Sequence, residues 1–451
     1  MEFSTIIRGI VGILLILSIA FLFSNNKRKI NWRLVIIGMV MQLIFAIFII
    51  HGERMGSWLF ILEWPKLAVE WLGKAVIQLL VFIGKGSEFV FGVLSYPAGT
   101  TGSLGFFFAF NVLPTIIFFA ALTSVLYYLG ILQTVVKGMA WLMARLLGTS
   151  GAESLSNTAN VFVGQTEAPI LIRPYISSMT QSELYTIMVG GMATVAGGVM
   201  ASYVQMLGVA MADARGLTLD VAQLRFAVHL ITGSVMAAPA SLVIAKILYP
   251  ETKVPKTKGT VKIEVEKGGS NIIESAANGA SDGLKLALNV GAMLIVFIAF
   301  IYLINFLLGE AGSILGINTW LIGKFGKPLS MELILGFILK YIAIGIGVPV
   351  QDSFAFGSLF GTKVVLNEFV AYIGLTDIIK AGTMTDKGIT MATFALCGFA
   401  NFSSIAIQVG GISPMAPERK KDIAALGLKA VLGGSLVTLL TAALAGILIQ
   451  G

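Results

Sequence analysis

Charge, histidine and cysteine are all scarce in this chain. Only 12% of its 451 residues are Asp, Glu, Lys or Arg, about half of the ~25% that soluble domains carry. With 57% hydrophobic residues and a mean hydropathy of +0.90, that leaves too little polar surface to cover the apolar residues in water, which excludes a soluble globular protein. The single cysteine, Cys397, excludes an intrachain disulfide and reads as a small packing residue in an apolar run. The two histidines, His51 and His229, stand far apart and make no metal-ligand spacing, which excludes a zinc site. A net charge of +8 would suggest nucleic acid as partner of a soluble protein. Here the anionic cytoplasmic leaflet of a membrane accounts for it, and no nucleic-acid partner is expected.

Long apolar runs are what the chain has in abundance. Stretches near the ~17–25 residues needed to cross a bilayer lie at about 6–23, 34–50, 106–128, 184–209, 226–248, 284–308, 389–409 and 426–449. The expected fold class is therefore an all-α polytopic membrane protein of about eight transmembrane helices. Met1 to Phe23 reads as a retained first span, because no small-residue cleavage site follows it and the basic cluster Lys27-Arg-Lys29 comes after it. Residues 64–91 are less regular. Lys66, Glu70, Lys74 and Lys85 interrupt them, Trp64 and Trp71 lie alongside, and the pattern predicts an amphipathic interfacial helix. Residues 131–147, with Lys137 and Arg145, read the same way. Pro250 to Gly269, with five lysines and three glutamates, reads as a solvated loop, and 271–283 predicts at best a short helix of small residues.

Two stretches stand out from this apolar background. In Asn160-Val-Phe-Val-Gly-Gln-Thr-Glu-Ala-Pro169 an amide, a hydroxyl and a carboxylate lie side by side at Gln165, Thr166 and Glu167. An ionised carboxylate at membrane depth costs at least ~2.5–3.5 kcal/mol, so the cluster must pair with something or bind something. Its counterpart lies around Glu368. Glu167 precedes the interrupted apolar stretch at Gly191-Met-Ala-Thr194 by 24 residues, and Glu368 precedes Gly398-Phe-Ala-Asn401 by 30. An acidic-serine pair stands before each glutamate, Glu153-Ser154 by 14 residues and Asp352-Ser353 by 16. Three landmarks in the same order predict a duplicated unit of hairpin, broken helix and span, a pattern that points to the binding site of a secondary transporter. Gly190, Gly191, Gly197, Gly198 and Gly398 predict backbone opened at depth, which survives only where it is buried in protein or lines a cavity. The plainer alternative is that each glutamate caps a hairpin helix or pairs with a cation such as Arg173 or Lys363.

Loop charge orients the chain. If eight segments cross and the hairpins do not, loops 24–34, 249–269 and 413–422 share one side and hold four, five and three Lys/Arg. The opposite loops, 211–222 and 376–388, hold one and two. This bias places the basic set in the cytoplasm and both termini outside. An odd number of crossings then separates the hairpins, so the repeats are inverted and the re-entrant hairpins point in opposite directions.

Gly164-Gln-Thr-Glu-Ala-Pro169, Gly191-Met-Ala-Thr-Val-Ala-Gly197, Asn367-Glu-Phe-Val-Ala-Tyr372 and Cys397-Gly-Phe-Ala-Asn-Phe-Ser-Ser404 resemble the concentrative nucleoside transporter family, and the resemblance extends along the whole chain. It implies a sodium-coupled nucleoside symporter, a homotrimer in the bacterial inner membrane, working by an elevator motion and needing no cofactor beyond the coupling ion. By resemblance, Gln165, Thr166, Glu167 and Val199 contact the nucleobase. Glu368, Asn401 and Ser404 bind the ribose hydroxyls, and Phe399 lies against sugar or base. The sodium ligands implied are Asn160, the Val163 carbonyl, Thr194 and the Val195 carbonyl.

The resemblance also divides the chain. It implies scaffold spans one and two (1–60), an interfacial helix (61–95), and a third scaffold span with its surface helix (96–148). A first transport repeat (149–248) and a cytoplasmic loop with short helix (249–283) follow, then a scaffold span (284–310) and a second transport repeat (311–451). Proton coupling through Glu167 or Glu368 is the nearest alternative. A channel and an intramembrane enzyme using the glutamates as an acid/base pair are remoter, since no nucleophile-base set, metal cluster or ring of pore charges is visible.

Overall fold

A computed structural model describes residues 3–57, 60–96, 102–258 and 269–449. Among these residues the chain is helical, with a single isolated bridge between Ser150 and Lys258. The helices used below are α1 (Phe3–Leu22), α2 (Trp32–Ile50), α3 (Trp64–Phe91), α4 (Leu113–Tyr128), α5 (Ile131–Leu147), α6 (Gly151–Ala159), α7 (Arg173–Ile176), α8 (Gln181–Ala193) and α9 (Gly197–Arg215). They continue with α10 (Leu219–Leu248), α11 (Ile272–Ile314), α12 (Met331–Gly345), α13 (Ser353–Val365), α14 (Glu368–Ala381), α15 (Asp386–Leu396), α16 (Phe402–Ile412) and α17 (Lys420–Leu448).

Hydrogen bonds between loops define two ends of this bundle. At one end the Asn25 amide donates to the Leu248 carbonyl (3.0 Å) and the Gly151 amide to the Thr257 carbonyl (2.9 Å). There too the Thr180 hydroxyl donates to Glu251 (2.7 Å), and the Arg419 guanidinium to the Met179 carbonyl (2.7 Å). The three lysine- and arginine-rich loops thus share an end, as their charge predicts. At the opposite end Asp386 holds both Arg215 (2.9 Å) and Arg225 (3.3 Å), joining the two loops of low positive charge.

Both predicted hairpins are present and enter from opposite ends. Hairpin 1 runs through α6, a tip at 160–167, a tight turn at Ala168–Ile172 and α7. Hairpin 2 is α13 and α14, joined through Leu366 and Asn367. The acidic-serine landmarks tie down the hairpin bases. Ser150 and Glu153 form a reciprocal capping box on α6, and Glu153 pairs with Lys246 of α10 at 2.7 Å. Asp352 precedes α13 and accepts from both the amide and the hydroxyl of Thr385, which caps α15.

Both broken helices are present as well, and the first opens over a shorter part of 190–198 than its glycines predict. α8 ends at Ala193 and α9 starts at Gly197, so Thr194–Ala196 is the break, while Gly190 and Gly191 stay in regular helix. These two glycines serve close approach: a Cβ on Gly190 would stand 1.9 Å from Asn157 Oδ1, and one on Gly191 would stand 2.9 Å from Gln165 Cβ. The second break spans residues 397–401, where a Cβ on Gly398 would stand 2.9 Å from the Met192 carbonyl. The two breaks therefore pack on each other.

One further expectation is corrected. Residues 271–283 are not a separate short helix but the first turns of α11, 43 residues long and capped by Asn271. The small residues are there for contact: Cβ atoms on Gly279 and Gly283 would come within 2.8 Å of Ser124, Ala120 and Ile117 of α4. Residues 61–95, expected at an interface, are apolar and long enough to cross a membrane, as are six other stretches among the described residues. Yet α3 makes no net passage along the bundle. Lys66 pairs with Glu53 just past the end of α2, and Gly73 faces Leu224 and Ala227 at the Arg225 end of α10. Phe91 lies against Phe110 (5.1 Å), and the Ser95 carbonyl accepts from Asn111 (2.8 Å), just before α4. Part of the loop read at 250–269 lies outside the described residues.

Burial separates a core from a shell. Of the most apolar window of each segment, 89% is buried for 417–448, 83% for 219–248 and 78% for 181–215, against 28% for 108–128 and 6% for 272–314. The core is thus built from the two broken helices, the hairpins, α10 and α17. Glu153 and Lys246 lie within it, with side chains 1% and 5% exposed. Removing one partner of such a pair leaves a buried charge uncompensated at a cost of roughly 3–5 kcal/mol. Lys246→Met is therefore expected to lower the melting temperature in detergent sharply. Glu153→Gln combined with Lys246→Met should recover much of the loss, as thermal unfolding of the three proteins will show.

Candidate functional site

Glu368 is the first residue of α14. Asn367 before it accepts from the Val370 amide (2.9 Å), and the free N–H groups of a helix start favour an anion there. The carboxylate is buried, and each oxygen is held once: Oε1 by the Tyr203 hydroxyl and Oε2 by the Asn401 amide, both at 3.0 Å. A carboxylate offers about four lone-pair sites, so acceptor capacity remains.

Asn401 closes the second break by capping α16, its Oδ1 accepting from the Ser404 amide (2.8 Å) and the Ser403 hydroxyl (2.7 Å). Those bonds leave its NH2 facing Glu368. Ser404 in turn accepts through its hydroxyl from Gln165 Nε2 of hairpin 1 (3.2 Å). Tyr203, Glu368, Asn401, Ser404 and Gln165 thus form one polar chain joining the two repeats, and the amide oxygen of Gln165 is buried with no partner.

The remaining expected site residues divide into two groups. Glu167 and Val199 line a cavity of about 520 Å³ between hairpin 1, the first break, α4 and α11, with Val163 and Phe119 in its wall. Glu167 is exposed in it and folds back over Gly164, where a Cβ would stand 2.2 Å from its Oε2. Among the described residues it makes no ion pair with Arg173. Thr166 packs on Gly411, and Phe399 is half-buried against the core. Gln165, Glu368, Asn401 and Ser404 lie behind the cavity wall rather than in it.

The two segments that carry the residues expected around an ion touch. The Gly197 amide donates to the Phe162 carbonyl (3.3 Å), joining the tip of hairpin 1 to the first break. Asn160 ends α6, donates to the Ser156 carbonyl (3.0 Å), and keeps its own Oδ1 buried and unpartnered. The Thr194 hydroxyl donates to the Gly190 carbonyl (3.1 Å), leaving its lone pairs free. Val163 and Val195 are both buried beside these groups in the chain. No cluster of three or more His, Cys, Asp or Glu suited to a metal exists among the described residues. The donors are neutral oxygens, which suit a hard cation at a helix break.

Two site residues escaped the sequence reading. Tyr203 holds Glu368. Gln408, fully buried, donates to the Met188 carbonyl (2.9 Å) and leaves its Oε1 unpartnered. Each lies four residues beyond a residue already singled out, Val199 and Ser404, and so on the same helix face.

Comparison with known proteins agrees along the full length. Residues 11–94 and 229–446 match the families described as Na+ dependent nucleoside transporter N-terminus and C-terminus, and 109–210 match one described as Nucleoside recognition. The chain is 42% identical to the transporter YutK of Bacillus subtilis (strain 168), covering 98% of this chain and 99% of the relative. It is 39% identical to the nucleoside permease NupC of Helicobacter pylori (strain ATCC 700392 / 26695), covering 98% and 97%. Its fold is similar to that of CNTnw in an inward-facing substrate-bound state, with a TM-score of 0.82, 38% identity and 98% of each chain covered. A substituted CNTnw in an outward-facing state superposes with a TM-score of 0.84 at 38% identity over 99% and 98%. The chain belongs to the concentrative nucleoside transporter family, a membrane transporter of nucleosides and not an enzyme.

Proposed function

We propose that this protein imports uridine and other nucleosides together with sodium, holding the nucleoside between the two hairpin tips. The observation that carries this reading is the polar chain from Tyr203 through Glu368, Asn401 and Ser404 to Gln165. It spans both repeats, contains one carboxylate with spare acceptor capacity, and ends on an unpartnered amide oxygen. Ribose hydroxyls satisfy Glu368, Asn401 and Ser404, with Phe399 alongside. The base edge meets Gln165, Thr166, Glu167 and Val199, where amide, hydroxyl and carboxylate supply donors and acceptors. Sodium takes Asn160 Oδ1, the Thr194 hydroxyl and the carbonyls of Val163 and Val195, so that the ion and the base share hairpin 1.

The basic end faces the cytoplasm of a bacterial inner membrane, and α3 lies along the opposite interface. The hairpins, broken helices, α10 and α17 move as one body against α1, α2, α4 and α11. The outer face of α11, with Ile295, Tyr302 and Phe306 exposed, meets two further copies in a trimer.

Three outcomes are expected. Proteoliposomes should accumulate chemically unchanged uridine above the external concentration only under an inward sodium gradient; full uptake driven by a pH gradient without sodium contradicts sodium coupling. Glu368→Gln removes a charged acceptor worth roughly 1.5–3 kcal/mol. It should weaken uridine binding about tenfold to a hundredfold in calorimetry while keeping its helix content by circular dichroism. Asn160→Ala should raise the sodium concentration for half-maximal uptake by about tenfold, with saturating uridine unable to restore it.

A further inference from the structure

Lys363 is sealed in the core, with no exposed surface. Its ammonium donates to the Ala395 carbonyl (2.8 Å) and the Thr438 hydroxyl (2.9 Å) and lies 5.2 Å from the centre of the Phe360 ring. Among the described residues it makes no ion pair closer than 4.0 Å, which corrects its reading as a direct partner of Glu368. Glu368 stands five residues on, across the turn that joins α13 to α14.

The place it fills repeats a place in the other half of the chain. α8 and α15 each follow a hairpin, start from a capping threonine (Thr180, Thr385) and stop at a break. In the first repeat Asn160, at the end of the hairpin's first helix, comes two residues before Phe162, whose carbonyl accepts from Gly197 at the break that also holds Thr194. In the second, Lys363 lies in the last turn of the hairpin's first helix, α13, and its ammonium meets the last-turn carbonyl of α15. A carbonyl at the C-terminal end of a half-helix, a threonine hydroxyl and a nearby carboxylate are the surroundings of a hard cation.

We propose that the Lys363 ammonium is a tethered cation. It occupies in the second repeat the position the coupling ion takes in the first, and balances Glu368 so that this repeat needs no ion of its own. Removing it opens an oxygen-lined site that sodium fills. The proposal rests on the sodium reading of the first repeat, and its test separates the two.

The purified protein is melted across a sodium series, with choline holding ionic strength constant. In wild type, the free energy of stabilisation should rise with the logarithm of sodium concentration at a limiting slope of about one bound ion. Lys363→Met should melt lower in choline and recover in sodium along a steeper curve, with a limiting slope approaching about two bound ions. Adding Glu368→Gln removes the charge that calls for a cation and should return the slope to about one. A Lys363→Met protein with the wild-type curve overturns the proposal, as does a double variant that keeps the steeper one. Should Lys363→Met not fold, a double variant that folds supports the proposal and one that fails equally contradicts it. A wild type indifferent to sodium contradicts only the sodium reading; the lysine proposal then requires Lys363→Met to acquire a sodium response that the double variant lacks.

Discussion

The hydrogen bonds that cross between the repeats are what the site depends on. Tyr203 belongs to the first repeat and Glu368 to the second; Gln165 belongs to the first and Ser404 to the second. Each hairpin tip also finds a polar partner on the other half. A carboxylate in a bilayer protein is tolerable only with such partners, so the two halves form the site only together. The Gly398 contact with the Met192 carbonyl shows the same dependence in the backbone, one break lying against the other.

Small residues make this closeness possible. Gly190 and Gly191 let hairpin 1 reach the first broken helix, Gly411 receives Thr166, and Gly434 lies where a Cβ would come 2.8 Å from Met192. The same device, used between α4 and α11 at Gly279 and Gly283, builds the shell. Core and shell differ in their outer partners: α17 is enclosed by protein, while α11 is almost bare. That contrast suits a moving body held in a fixed frame, with the cavity beside Val163, Glu167 and Val199 lying on the seam between them.

Much of this was legible in the residues. The duplicated order of acidic-serine pair, glutamate and interrupted helix located both hairpins, and the lysine-rich loops do lie at one end. Local chemistry misled where a residue had two uses. Gly190 and Gly191 read as openings in the backbone because glycine permits both unwinding and contact, and only the position of Asn157 and Gln165 distinguishes them. The small residues of 271–283 read as weak helix because their gain comes from packing on α4, a partner far away in sequence. Tyr203 and Gln408 passed as ordinary apolar-helix residues, since their roles come from Glu368 and Met188 across the fold.

The central claim is that Glu368 grips the sugar of a nucleoside whose base rests on hairpin 1. Binding of uridine and of 2′,3′-dideoxyuridine to wild type and to Glu368→Gln, measured by calorimetry in sodium, tests it most directly as a cycle between a ligand group and a side chain. Deleting the hydroxyls should weaken binding to wild type by about tenfold or more and to the variant by less than about twofold. An equal loss in both proteins would show that the hydroxyls and the carboxylate never meet, and would contradict the account.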